Sequence, residues 1–585
     1  MTAPSVRTAP AAPLLSLPDR SEALRDATWE TLAPLYDALA TMPPADGAAR
    51  ARWTEAWIET WSRLDALVHE ASAFAYWDYS RDTTDAEREA RYLRWASEIG
   101  PELEAAHTRL AERALSLGID RDDLRETLED WRTDVRLFRE ANKPRLAQLE
   151  ELSAEYDKQV GALTVEWEGE IVPATRVTQH LHSPDRTVRE AAFTKNHRAY
   201  ADARPALTGL YARMVPLRQA VAREAGHADY VGFRYEELHR RDYGPSEARR
   251  WSDAVEAVVV PAVERLRAVR RERLGVAELR PWDLAAPLFS DRKLEPYTDA
   301  ADLVARTERV LAAVDPRIAD VLPGMRRAGL LDLENRAGKA PGGYCTTFDA
   351  IGLSGIFMNA VGVPDDVMTL LHESGHALHH LLAMRHPLLW TRGTGMEAAE
   401  LASMTMELFA WPYMQRPTGF YAPEDAARAE YEHLEDILAF FPHCATVELF
   451  QQWVYSSPDG ADPDAQDHTW LALRERFDRG VSWEGLERER RARWYKQSHI
   501  FQVPFYYIEY GLAQLGALQL WRRASTDRAG AVTGYLAALS LGGTASLREI
   551  YAAAGVELVF DEVKMGELVS AVEERLEELR SGLTE

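Results

Sequence analysis

Four histidines and one glutamate fall within residues 369–382, TLLHESGHALHHLL, in an otherwise apolar run. Burying that many titratable groups is costly unless they are paired or bound to a metal. Read as a helix, the run puts His372 and His376 four residues apart, on one face and about one turn from each other. Two imidazoles so placed can bind one ion. Glu373 projects about 100° away from His372, beside such an ion rather than onto it, where it can take a proton from an activated water. This is the H-E-x-x-H arrangement. The competing reading is a packed histidine cluster without an ion, and the apolar setting favours the metal. His379 and His380 extend the region as packing or supporting groups rather than ligands.

A catalytic zinc site usually has three protein ligands and one open position. The stretch GMEAAELASMTMELFAW offers Glu397, Glu400 and Glu407. Glu400 and Glu407 are seven residues apart and share a helical face; Glu397 stands one turn before Glu400. Three surface glutamates are the alternative, but their neighbours are too apolar for it. Further on, QSHIFQVPFYYIEY carries His499, Tyr506, Tyr507 and Tyr510. They could be aromatic core. They could also supply the N–H and O–H donors that a tetrahedral oxyanion needs during peptide hydrolysis.

HESGHALHH followed by EAAELASMTMELFAW resembles the M3 family of zinc metallopeptidases, and within it the oligoendopeptidase F branch. The resemblance implies that the third zinc ligand is the glutamate opening an E-x-x-S/M-x-x-x-E pattern, which is Glu400. It makes Glu407 an orienter of a zinc histidine. It assigns the oxyanion donors to His499 and Tyr510, with Tyr506 and Tyr507 both fitting loosely. Ser374 stands where the family often carries a bulkier residue, at a position that binds nothing. KAPGGYC (339–345) and GIFMNAVGVPDDVMTLLHE (355–373) look like the family's glycine-rich segment and substrate-edge strand. Gly342, Gly343, Tyr344, Met358 and Asn359 are therefore candidates for substrate binding, with the two glycines allowing close backbone approach. Cys345 has no partner that would make it a nucleophile and reads as a small cleft residue. The resemblance runs from about residue 120 to 570, densest over 336–515. It implies a mainly α, two-lobed helical body around a deep substrate channel, one Zn2+ per chain, and short unfolded peptides cut at internal bonds. A related zinc carboxypeptidase or dipeptidase, or a catalytically silent peptide-binding protein, are the alternatives.

These groups must be positioned by a large, mostly helical chain. In RARWTEAWIETWSRL, Trp53, Trp57 and Trp61 recur every four residues, a stripe that buries aromatic area. Four segments are read along the chain: a flexible tail (1–20), an N-terminal helical region (21–162) with a break near Pro144, a helical middle region (163–335) opening on a hairpin at 163–174, and a helical catalytic region (336–585). Short strands and loops are expected over 276–350, including a small β element just before the histidine helix. LERERRARWYK (486–496) reads as a solvated helix face.

The 585 residues carry a net charge of −25, which repels nucleic-acid phosphates. Two cysteines, Cys345 and Cys444, cannot build a disulfide framework. No stretch of about 18 apolar residues exists, so no membrane span is expected. The proline-broken N-terminus lacks a signal-peptide core. A cytoplasmic protein is expected.

Overall fold

The computed structural model describes residues 14–584. Helices dominate the described residues, with two small sheets among them, which is the mainly α class read from the sequence. Contacts divide the chain into two units that interleave along the sequence. One takes residues up to Arg136, Glu295–Phe420 and Arg523–Val556; the other takes Leu137–Leu294, Tyr421–Arg522 and Glu557–Glu585. The four segments read along the chain are thus shared between the units.

In the first unit, α1 (Arg50–Arg81) buries Trp57 and Trp61 completely. The Trp61 ring centroid lies 4.8 Å from that of Trp131 and 4.3 Å from that of Trp390, so the stripe is core. Leu14, Leu15 and Leu17 pack against this cluster, and the Leu14 N–H donates to Thr60 Oγ1 at 2.9 Å. Leu14, Leu15 and Leu17 are therefore packed against the core rather than part of a flexible tail, because three leucines in four residues bury apolar area. Residues 1–13 of that segment lie outside the described residues.

In the second unit, Pro144 opens the helix Lys143–Gly161, a position that needs no N–H from proline. The expected hairpin is present as β1 (Thr164–Trp167) and β2 (Glu170–Pro173), paired antiparallel. Its turn residues Glu168 and Gly169 both have positive φ, +52° and +85°, the backbone that two-residue hairpin turns require.

Over 276–350 the expectation of strands and loops was incomplete. Two helices, Ala300–Val314 and Val321–Ala328, also lie there. The first starts where the Asp299 side chain accepts from the Asp302 N–H, an N-cap signal. The strands follow as β3 (Leu331–Glu334), β4 (Tyr344–Phe348) and β5 (Leu353–Ala360), in the order β3-β5-β4. β5 pairs parallel with β3 and antiparallel with β4.

The site helices follow: α2 (Pro364–Ala383) and α3 (Met396–Ala410) in the first unit. In the second come α4 (Pro423–Ser456), α5 (Pro463–Phe477), α6 (Glu487–Tyr495), α7 (Ser498–Gln502) and α8 (Ile508–Ala524). α6 is not the solvated face that its charges suggested. It buries Glu489, Trp494 and Tyr495, and Arg493 lies over the Trp483 ring. Long basic side chains here cover aromatic surface with their stems.

Candidate metal centre and active site

The start of α2 is set by one carboxylate. Asp366, buried in the first turn, accepts from the backbone N–H groups of Val361, Gly362 and Val363 at 2.8–2.9 Å, and the Tyr297 hydroxyl donates to it. Negative charge there also suits the helix dipole. The turn from β5 into α2 is thereby locked, and with it the phase of every later residue on the helix.

His372 and His376 follow on one face, with ring centroids 4.9 Å apart and planes at 82°. Glu400 reaches them from α3. Its Oε2 lies 3.3 Å from His372 Nε2 and 3.8 Å from His376 Nε2. Ser403 Oγ donates to the same oxygen at 3.0 Å and fixes its direction. One ligand atom from each of His372, His376 and Glu400 falls within 4.8 Å of the others, and this is the group among the described residues that can hold a metal. Two imidazoles and a carboxylate suit a zinc-type ion. Glu407 Oε1 lies 2.7 Å from His372 Nδ1. That bond keeps a proton on Nδ1 and turns the Nε2 lone pair toward an ion.

The approach of α3 to α2 depends on Gly375, inside the H-E-x-x-H motif. A Cβ there would meet Ala402 O and Ser403 Cα at 2.6 Å, both backbone atoms of α3. The sequence reading gave this glycine no part. Its only signal was a glycine in mid-helix, which usually has a packing reason.

Charge is distributed unevenly over the site. Burial opposes charge on His372, yet the carboxylates of Glu400 and Glu407 outweigh it and hold its pKa well above the ordinary value. His376 is pushed down to about 4 by burial, against the pull of Glu400. Glu373 is 7% exposed, and burial raises it to about 7; the His372 charge works the other way. At pH 7 His372 is therefore protonated before an ion binds. Binding needs its neutral Nε2, so at least one proton is expected to leave per ion at pH 7. Apparent affinity should fall about tenfold per pH unit below the His372 pKa. Calorimetry in two buffers of different ionisation heat checks this, and a binding heat independent of buffer would contradict it.

The other expected residues distribute as follows. His379 is buried and pushed down to about 3 by burial. His380 bridges Ser354 Oγ (2.9 Å) and Asp349 Oδ1 (3.3 Å), tying α2 to the sheet. Glu397 is also buried, so none of the three glutamates of α3 is the surface residue considered as the alternative. Gly342 has φ +93°, and a Cβ on Gly343 would press on Thr369 at 3.3 Å. Asn359 Nδ2 donates to the carbonyls of Ala340 and Gly342, so its side chain holds the glycine-rich loop in shape. Met358 is 2% exposed, and the Tyr344 ring stacks on Phe357. The segment expected as the substrate-edge strand, β5, is central and hydrogen-bonded on both sides. In this three-stranded sheet the edge positions belong to β3 and β4. Cys345 and Cys444 are free thiols.

In the second unit, His499 on α7 is ringed by Tyr507 (4.9 Å between centroids), Tyr506 (5.9 Å) and Tyr510 (6.1 Å). The turn that gathers them passes through Phe505, fully buried at φ +66°. Such a backbone in a bulky residue persists only where its surroundings impose it. Here Gln451 Oε1 accepts from its N–H and Arg240 donates to its carbonyl. Nothing in the local sequence signalled it.

An H-E-x-x-H helix facing a second, glutamate-bearing helix defines a centre of the metallopeptidase kind. The chain belongs to Peptidase family M3, whose sequence profile matches residues 179–564. Curated relatives include the oligopeptidase PepF of Bacillus subtilis (strain 168), 27% identical over 157 residues, and an oligoendopeptidase F homolog of Lactococcus lactis subsp. lactis (strain IL1403), 26% identical over 149 residues. These alignments cover 26% and 25% of this chain and only 23% and 24% of the relatives, so the chain spans about a quarter of the length of the curated relatives it matches. The structure of Pz peptidase A with an inhibitor superposes with a TM-score of 0.84 at 25% identity, covering 97% of this chain and 99% of that one. Oligoendopeptidase F from Enterococcus faecium shares the fold, with a TM-score of 0.64 at 18% identity over 96% of this chain and 99% of its own. No helix among the described residues is long and apolar enough to cross a membrane.

Proposed function

We propose that this protein is a zinc-dependent oligoendopeptidase that hydrolyses internal bonds of short peptides. The observation that carries the reading is the convergence of His372, His376 and Glu400 within 4.8 Å, with the buried Glu373 next in sequence to one of them. A zinc ion in that cage supplies a Lewis acid that brings a water's pKa down toward about 7. Glu373 accepts the water's proton and passes it to the leaving amine. Burial supports this role, because a carboxylate raised to about 7 can both take and return a proton near neutrality. Glu407 holds the proton on His372 Nδ1. His499, with one or two of the tyrosine hydroxyls at 506, 507 and 510, donates to the oxyanion, an assignment that rests on the family resemblance. β4 is an edge strand of its sheet, the kind of edge along which an extended peptide can pair, with Gly342 and Gly343 leaving the preceding backbone bare. The free thiols of Cys345 and Cys444 support a reducing, cytoplasmic setting.

The test is cleavage of a short fluorescence-quenched peptide, with metal content measured on the same sample. Internal fragments, loss of activity with a chelator and recovery with zinc are expected. Release of terminal residues alone would replace this reading with a carboxypeptidase. A zinc-loaded protein that leaves a broad peptide library uncut would be a binding protein instead.

A further inference from the structure

A line of hydrogen bonds crosses the second unit and ends on His499. Arg474 on α5 points an N–H at His443 Nδ1 on α4, 3.5 Å away. His443 Nε2 lies 2.9 Å from Gln497 Oε1. Gln497 Nε2 lies 2.8 Å from His499 Nδ1.

The direction of each bond follows from the first. A guanidinium offers only donors. His443 Nδ1 must therefore present its lone pair, and the ring's proton sits on Nε2. That proton goes to Gln497 Oε1, which settles which end of the amide is oxygen. The amide NH2 then donates to His499 Nδ1. In a neutral ring only one nitrogen carries the proton, so His499 keeps its proton on Nε2. We propose that Gln497, oriented by His443 and Arg474, is a positioning residue that holds His499 as the Nε2–H tautomer, making it a permanent hydrogen-bond donor to the reacting group. This deepens the reading above and rests on its assignment of His499 as an oxyanion donor.

The anchor of the line is rigid. The Arg474 side chain is 3% exposed and pairs with the Asp478 carboxylate. Arg267 also reaches that carboxylate at 3.0 Å, and the Trp483 indole N–H donates to it at 3.0 Å. Both rings of the line are neutral near pH 7. Burial, then the charges of Arg493 and Arg474, push His443 down to about 3. Burial also lowers His499. The other groups facing these rings are Tyr506, Tyr507 and Tyr510 around His499, and Trp470 and Tyr507 against His443. Lys496, next to Gln497, is lowered to about 8 by burial and by Arg493, but its ammonium donates to Asn196 Oδ1 at 2.8 Å. Any effect of its titration is common to wild type and variants.

The test is Gln497→Glu. A carboxylate accepts on both oxygens, so it demands an N–H from His499 Nδ1. His499 then keeps an Nε2 proton only as the imidazolium. Wild-type kcat is expected to be insensitive to His499 over the neutral range. In the variant kcat should stay near wild type at low pH and fall tenfold per pH unit above the new His499 pKa, with KM changed less than twofold. The independent readout is 15N NMR of protein labelled at histidine, with the His499 signals assigned by their absence in His499→Phe. Nδ1 should be unprotonated in wild type and protonated in Gln497→Glu. A protonated Nδ1 in wild type overturns the proposal even if the variant fails to fold. So does a Gln497→Glu pH profile that matches wild type while His499→Phe has lost activity. If His499→Phe keeps full kcat, the oxyanion reading fails instead, and the wild-type 15N spectrum still decides whether the tautomer is held.

Discussion

Glu373→Gln is expected to lower kcat by about 10²–10⁴-fold, the usual contribution of a positioned general base, while the protein still holds one zinc ion. The amide has the shape of the carboxyl but cannot take a proton. Glu373 is not among the three groups that converge on the ion position, so metal affinity should survive. The same change should alter stability with a defined sign. Glu373 is raised by burial to about 7 in the fold, against about 4.3 in an unfolded chain. A carboxyl raised in this way leaves the fold undisturbed below the unfolded value. It destabilises the fold progressively as pH rises from about 4.3 through about 7, by on the order of 3–4 kcal/mol once fully ionised. The metal-free Gln variant should therefore melt above metal-free wild type at pH 8 and close to it at pH 5. Parallel activity assays and melting curves at both values check this. Equal turnover by wild type and variant would mean that the peptide was cut elsewhere.

Gly375→Ala is expected to weaken zinc binding by about 10²-fold or more, and kcat/KM with it, although the residue touches neither ion nor substrate; a shift of about 1 Å in a reacting group can cost that much. In an ordinary helix interior the same change stabilises by roughly 1 kcal/mol. Here the new methyl would stand 2.6 Å from Ala402 O and Ser403 Cα. Both are backbone, with no flexible side chain to swing aside, so α3 must move off α2. Glu400 and the Ser403 hydroxyl that steers it ride on α3, and both withdraw from the histidines. Overpacking of this kind also costs about 1–3 kcal/mol of stability. Gly324→Ala is the control: it lies in a helix of the same unit, and a Cβ there meets nothing within 4 Å. It should bind zinc normally and melt no lower than wild type. Unchanged zinc affinity in Gly375→Ala would remove the close helix approach from the account.

The parts of the site that could be read directly are those related by helical periodicity. His372, Glu373 and His376 are fixed relative to one another by the rise and turn of a single helix, so spacing alone places two imidazoles on one face with a carboxylate beside them. Glu400 and Glu407 share a face for the same reason, and the family resemblance singles out Glu400 of the two as the candidate ligand. The hairpin at 163–174 and the tryptophan stripe of α1 were legible because turn chemistry and a repeat of four are local. The helices within 276–350 were missed where glycine and proline elsewhere in the stretch outweighed a capping aspartate.

By itself, then, the sequence determined the helical class, the identity of the chemical groups and their order along each helix, because those depend on residues a few positions apart. Only the tertiary structure decided which strand is central, that α3 comes within backbone contact of α2 at Gly375, that Asp366 locks the turn into α2, and that Arg474, His443 and Gln497 line up behind His499. Each of these is a contact between segments far apart in the chain. Such contacts are selected by how whole elements bury area and satisfy their polar groups together, and no local pattern encodes that choice.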